Sequence, residues 1–321
     1  MTSDRLRHED GTDHDVRKGR SVICVTLVTV VMVAVGCLSA QQPAAPAVKF
    51  DSTRAYNDLR QMVGFGPRPS GSATLTQTRE YIKKELAAAG LQPEELPFDA
   101  RTPAGVIHMV NVRATLPGPT GARGRLVIGG HYDTKRAAAF SFVGASDGAS
   151  SAAFLLELAR ALKGRVNALP IELLFLDGEE AVVDWNLPKA KDHTYGSRRY
   201  VEELQQSGQV KDVRAFVLVD MIGDRELNIR REQNSTPWLT DIVWNAARRL
   251  KKSAFLEEST PIEDDHLEFL EAGIPSVDII DLDYPAWHTA DDDLAHVAAS
   301  SLQTVGDVLL AALPEIESRL K

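Results

Sequence analysis

The chain has 321 residues, 44% of them hydrophobic and 25% charged, which excludes a disordered chain and gives one large globular domain or two small ones once any targeting segment is set aside. Its 36 Lys and Arg against 45 Asp and Glu leave a net charge of −9, which excludes a basic surface for nucleic acid. Cys24 and Cys37 are its two cysteines and both lie in an N-terminal hydrophobic stretch, so the body can build neither a disulfide framework nor a thiolate-held zinc site.

Residues 1–20 are polar and end in Arg17, Lys18 and Arg20; an uncharged, mostly apolar run from Val22 to Gly36 follows, then Cys37, small residues and a Pro/Ala/Gln stretch. That is the order of a secretory signal. The run is shorter than the roughly 20 residues of a spanning helix, although Leu38 and Ala40 extend it, so cleavage, lipidation and an uncleaved anchor all stay open. Ala34-Val35-Gly36-Cys37 is similar to a bacterial lipobox with Cys37 as the residue to be lipidated, but lacks the usual leucine ahead of it. The expectation is an exported protein, periplasmic or extracellular, that meets a membrane only through this segment. Residues 1–40 are then the signal or anchor, 41–50 a linker carrying Pro43 and Pro46, and 51–321 the folded body.

Helical spacing of apolar residues recurs at Arg54–Val63, Leu75–Ala89, Ala152–Leu162, Gly196–Gln206, Trp238–Leu250 and Ser300–Leu320. Between these lie short apolar runs at 126–128, 171–176, 216–219 and 277–280, several nearly continuous in hydrophobicity, as strands covered on both faces are. The alternation predicts an α/β fold: a three-layer α/β/α sandwich around a central mixed, mostly parallel sheet. Ligands of such sheets gather at the carboxyl ends of the strands, and there the sequence turns polar and acidic.

The first run leads into Gly129-Gly130-His131-Tyr132-Asp133, the second into Asp177-Gly178-Glu179-Glu180, the third into Asp220, and the last is followed by Trp287-His288-Thr289; Ser146-Asp147-Gly148 precedes a helix. Carboxylates and imidazoles without thiolate suit Zn²⁺ or a similar divalent cation with an open coordination position. Each piece alone has a plainer reading. Ser146 or Asp147 would cap a helix starting near Ala149, His131 would be a hydrogen-bonded core histidine, and Asp291 to Asp293 would be first-turn acids of the next helix with Thr289 near its cap. Glu179 and Glu180 resist such a reading, because adjacent carboxylates after an apolar strand repel each other unless a cation is near. One of the pair can bind metal while the other faces the open position as an acid/base.

As an ordered set, Gly130 to Asp133, Ser146-Asp147-Gly148, Asp177 to Ala181, Asp220 and Trp287-His288-Thr289 resemble the zinc aminopeptidase superfamily. Trp185, Tyr195 to Arg198, Val219 to Gly223 and Glu263-Asp264-Asp265-His266 are similar to its glutaminyl-peptide cyclotransferase branch. The resemblance implies a zinc-dependent catalytic domain over 51–321, with Asp147, Glu180 and His288 as zinc ligands and Glu179 as general acid/base. It further implies a hydrogen-bonded carboxylate network from Asp220 and Asp264, and pocket walls from Trp185 and Trp287. Asp278 departs from it, standing where animal cyclases carry a histidine.

The implied activity is cyclisation of N-terminal glutamine in peptides to pyroglutamate, with release of ammonia, at one Zn²⁺. The alternative is a two-zinc aminopeptidase, with Asp147 bridging the ions, His131 and Asp220 completing the second site, and Glu179 activating water. From a different class, an exported binding module could keep the fold without its chemistry, a reading the acidic pair opposes.

Overall fold

The computed structural model describes residues 48–188 and 190–321, together with Gly19. The lipobox-like tetrapeptide, Cys24, Cys37 and most of the expected linker lie outside the described residues. In chain order the elements are α1 (Ser52–Gly64), α2 (Ala73–Ala88), β1 (Glu94–Thr102), β2 (Gly105–Leu116), β3 (Arg125–His131), α3 (Ala149–Ala161), β4 (Ile171–Leu176) and α4 (Tyr195–Gln206). There follow β5 (Val213–Asp220), β6 (Ile229–Glu232), α5 (Pro237–Arg249), β7 (Phe255–Thr260), α6 (His266–Glu271), β8 (Ser276–Ile280) and α7 (Ala299–Leu320). Among the described residues no helix is long and apolar enough to cross a membrane.

One sheet runs in the order β1-β2-β4-β3-β5-β8. Strands β4, β3, β5 and β8 are parallel, while β2 joins β4 and β1 joins β2 antiparallel. The near-continuous hydrophobicity of the central strands has its cause here. Leu126, Ile128, Ile171, Leu173, Phe175, Val217 and Ile279 face α1, α3, α5 and α7, while Val127, Leu174, Leu176, Phe216 and Leu218 face α4 and α6. The expected three-layer sandwich is therefore present. Phe50, at the end of the expected linker, packs into the first of these cores, stacked on Phe154 at 5.0 Å.

Two pairs of strands and α6 escaped the sequence reading. Strand β1 lies at the sheet edge with exposed and half-exposed residues and carries Pro97, so it has no apolar run to announce it. Strands β6 and β7 are short and mostly polar on a separate two-stranded sheet, and α6 has only 6 residues.

Candidate metal centre and its pocket

The carboxyl ends of the parallel strands bring the sequence-predicted residues together. His131 closes β3 and Asp220 closes β5; Glu179 and Glu180 lie in the loop after β4, His288 in the loop after β8, and Asp147 just ahead of α3. Two glycines permit this convergence. A Cβ on Gly130 would lie 2.7 Å from both Ser151 Cβ and Val219 O, so glycine lets α3 approach β3 beside His131. Gly148 has φ 88° and opens α3 with no side-chain cap bond. The cap role expected for Ser146 or Asp147 is thus overturned: the turn is made by glycine, and Asp147 is left to point into the site. His288 itself has φ 55°, a strained value for a non-glycine residue and of the kind found where a side chain must be aimed.

His288 Nε2 lies 3.4 Å from Asp147 Oδ2 and 3.4 Å from Glu180 Oε1. Neighbouring ligands of a tetrahedral zinc ion, each about 2.1 Å from it, are separated by roughly 3.4 Å. Asp147 Oδ2 and both carboxylate oxygens of Glu180 are buried and have no hydrogen-bond partner. Burial pushes Glu180 up to about 7, with Asp147 adding repulsion and His288 opposing it. A cation among the three would remove both the orphaned oxygens and the repulsion, so these residues fit a divalent ion.

A second grouping shares Asp147 but is satisfied differently. His131 Nε2 lies 3.0 Å from Asp220 Oδ1 and 3.1 Å from Asp147 Oδ1, and its Nδ1 lies 3.4 Å from Asp133 Oδ1. Burial disfavours charge on this imidazole, but Asp220, Asp133 and Asp147 together raise it well above its ordinary value. His131 Nε2 hydrogen-bonds Asp220 Oδ1, and its buried Nδ1 has no hydrogen-bond partner. His131, Asp147 and Asp220 can still be grouped as metal ligands by distance.

Glu179 is buried, its carboxylate 3.9 Å from His131 Nδ1, while Glu180 turns to His288. The adjacent acids thus point apart as expected. Burial raises Glu179 well above the usual carboxylate range; His131 opposes this and Asp264 and Glu180 add to it. Glu179, Glu180, Asp147, Asp220, Asp264, Trp185, Trp287 and His288 all line one cavity of about 530 Å³, of a size for a small ligand or peptide end. Trp287 stacks on His288 at 4.4 Å and is 42% exposed at the mouth.

Several residues at the site had no assigned role. Asp291 to Asp293 do not open a helix, since α7 begins at Ala299. Asp292 is instead fully buried: Oδ1 accepts the Ser146 N–H at 2.7 Å and the Tyr284 hydroxyl at 2.8 Å, and Oδ2 accepts the Asp147 N–H at 3.1 Å. It ties the His288 loop to the Asp147 loop. Arg68, buried, donates to the Val143 and Gly144 carbonyls at 2.7 and 3.1 Å and supports the same loop from below. Asp133, two residues after His131, brings Oδ1 to 3.4 Å from His131 Nδ1 without forming a hydrogen bond. Asp278 sits on β8 toward α6, its oxygens 3.5 Å or more from His266 Nδ1, and burial with the repulsion of Asp264 raises it well above the carboxylate range.

The model of Peptidase family M28 matches residues 111–313. A glutaminyl-peptide cyclotransferase-like protein of Mus musculus is 31% identical over 77% of this chain and 72% of its own length. The crystal structure of a glutaminyl cyclase from an Acidobacteriales bacterium superposes with TM-score 0.80 at 38% identity, covering 87% of this chain and all of that one. A leucine aminopeptidase precursor from Bacteroides thetaiotaomicron superposes with TM-score 0.76 at 26% identity, covering 83% of this chain and 98% of that one.

Proposed function

The chain belongs to peptidase family M28, with the glutaminyl-peptide cyclotransferases as its relatives, and from that premise we propose that it converts the N-terminal glutamine of peptides to pyroglutamate with release of ammonia. The observation that carries this reading is the pairing of one cation-demanding trio, Asp147, Glu180 and His288, with a neighbouring buried carboxylate, Glu179, in a single aromatic-walled cavity.

Asp147, Glu180 and His288 would hold one zinc ion. When bound there, the metal supplies Lewis acidity to the side-chain amide carbonyl of the substrate glutamine. The nucleophile and the electrophile belong to one residue, so the protein's task is to hold that residue in a ring-closing pose. Trp185 and Trp287 wall the glutamine side chain. Glu179 takes a proton from the attacking α-amine as the C–N bond forms, and returns it to the nitrogen that departs as ammonia. Asp264 and Asp220 line the cavity beside Glu179, and burial with the repulsion of Asp220 and Asp265 raises Asp264 well above the carboxylate range.

Hydrolysis of N-terminal residues at a two-ion site is the second reading, supported by the His131–Asp147–Asp220 grouping. The hydrogen bond that His131 Nε2 already makes to Asp220 Oδ1 weighs against it. Incubation with a Gln-initiated peptide, with ammonia and free amino acids both measured, separates the two. Ammonia with a pyroglutamyl peptide is the expected result, and liberation of the first amino acid would overturn it. Export of the protein is part of the same proposal and rests on the charge order of residues 1–40; a full-length chain retained in the cytosol would contradict it.

A further inference from the structure

Val183, Asp184 and Asn186, on either side of Trp185, are exposed, so the loop offers the indole no packing of its own. Two buried residues just ahead of α4 supply it. The Asp192 carboxylate accepts the Val183 N–H at 2.7 Å, the Asp184 N–H at 3.0 Å and the Tyr195 hydroxyl at 2.6 Å, which pins the start of the loop to the helix. His193, only 2% exposed, lies flat against the indole, with ring centroids 3.8 Å apart and planes 10° from parallel. From the opposite segment, Glu263 Oε2 accepts the indole Nε1–H at 3.2 Å, and Oε1 of the same carboxylate lies 3.6 Å from His193 Nε2. One carboxylate thus faces both rings. Burial, with Glu263 opposing, holds the His193 imidazole down to about 4, so the stack joins two neutral rings.

His193 does not line the cavity, whereas Trp185 and Glu263 do. Resting on the reading above, in which Trp185 walls the glutamine pocket, we propose that His193 is a positioning residue for substrate affinity: stacked on the indole, whose N–H is held by Glu263, it presets the orientation of Trp185. A half-exposed indole that must be ordered at the moment of binding would lower affinity, and a preset one avoids that penalty. The wall is the same in the ground state and the transition state, so its loss raises KM and spares kcat.

Kinetics with a Gln-initiated peptide and acrylamide quenching of tryptophan emission test this. The Trp185 contribution to emission is taken as the difference between each protein and its Trp185→Phe counterpart. His193→Ala is expected to raise KM about three- to tenfold, the worth of one aromatic stack, with kcat within about twofold, and to make Trp185 more accessible to quencher. His193→Phe, which keeps a flat ring, restores both. Glu263→Ala removes a half-exposed side chain and gives a smaller rise in KM and in quenching, which serves as the second test should His193→Ala fail to fold. Unchanged KM and quenching in the alanine variants overturns the proposal, as does a His193→Phe protein that behaves like His193→Ala. Quenching needs no turnover. If the wild type releases no ammonia, the functional reading falls, while the quenching series still decides whether His193 holds the indole.

Discussion

Asp147 belongs to two groupings of metal-ligand side chains that look alike in composition and differ in how their atoms are satisfied. In the trio with Glu180 and His288, three buried oxygens have no hydrogen-bond partner and the closest approaches are 3.4 Å. In the trio with His131 and Asp220, the imidazole bridges two carboxylates at 3.0 and 3.1 Å and a third carboxylate, Asp133, stands at its other nitrogen. The difference teaches that ligand type and spacing do not count ions. Despite burial, both imidazoles are raised above their ordinary value by the carboxylates around them, His288 to about 9, so what separates the trios is hydrogen bonding: His131 Nε2 is bonded to Asp220, whereas the Asp147 and Glu180 oxygens facing His288 have no partner.

Four measurements break or sharpen this contrast. The largest effect belongs to the trio that needs a cation: Glu180→Gln should lose the bound zinc, about one per chain in the wild type, when the protein is dialysed and its metal measured by atomic emission. Retained stoichiometric zinc in that variant would sink the assignment. Glu179→Gln should keep its zinc while turnover falls by a factor of about 10²–10⁴, the range for a lost general acid/base; turnover near the wild-type value would remove Glu179 from the mechanism.

His131→Leu tests the trio with Asp220. It leaves Asp220 buried without the imidazole it is hydrogen-bonded to, so denaturant unfolding should show a loss of about 1–3 kcal/mol with zinc content unchanged. A wild type that binds two ions, one of them absent in His131→Leu, would instead establish the two-ion site. The smallest effect is expected at Asp292. Its replacement by alanine leaves all three ligands in place but frees the two loops it joins, and a competition titration with a chelator should find zinc affinity lower by a factor of about 10–100. Unaltered affinity would reduce Asp292 to a structural role.

The alternation of elements was legible because it follows from periodicity. The strands at 171–176 and 216–219 are covered on both faces and therefore read as apolar runs, whereas β1, β6 and β7 have at least one wet side and carry no such run. The site was legible to the extent that its side chains follow strand ends. Asp147, Glu179, Glu180 and Asp220 each sit close to where a strand stops or a helix starts, so their position could be read from the chain, whereas His288, in the long loop between β8 and α7, was visible only through its Trp-His-Thr motif. Asp292 and His193 could not. In sequence the first is one acid in an acidic run and the second a histidine in a polar loop; each acquires its role from a partner 145 residues away for Asp292 and 70 away for Glu263 and His193.

What the sequence determined by itself was the kind of fold and the chemistry available to it, since hydrophobic period and side-chain type are local properties. What only the tertiary structure decided was which of those groups are paired. His131 and His288 are the same residue type at the same edge of the sheet, yet one hydrogen-bonds Asp220 through Nε2 and the other faces oxygens of Asp147 and Glu180 that have no hydrogen-bond partner. That distinction depends on distances between loops far apart in the chain, which no local property of the sequence fixes.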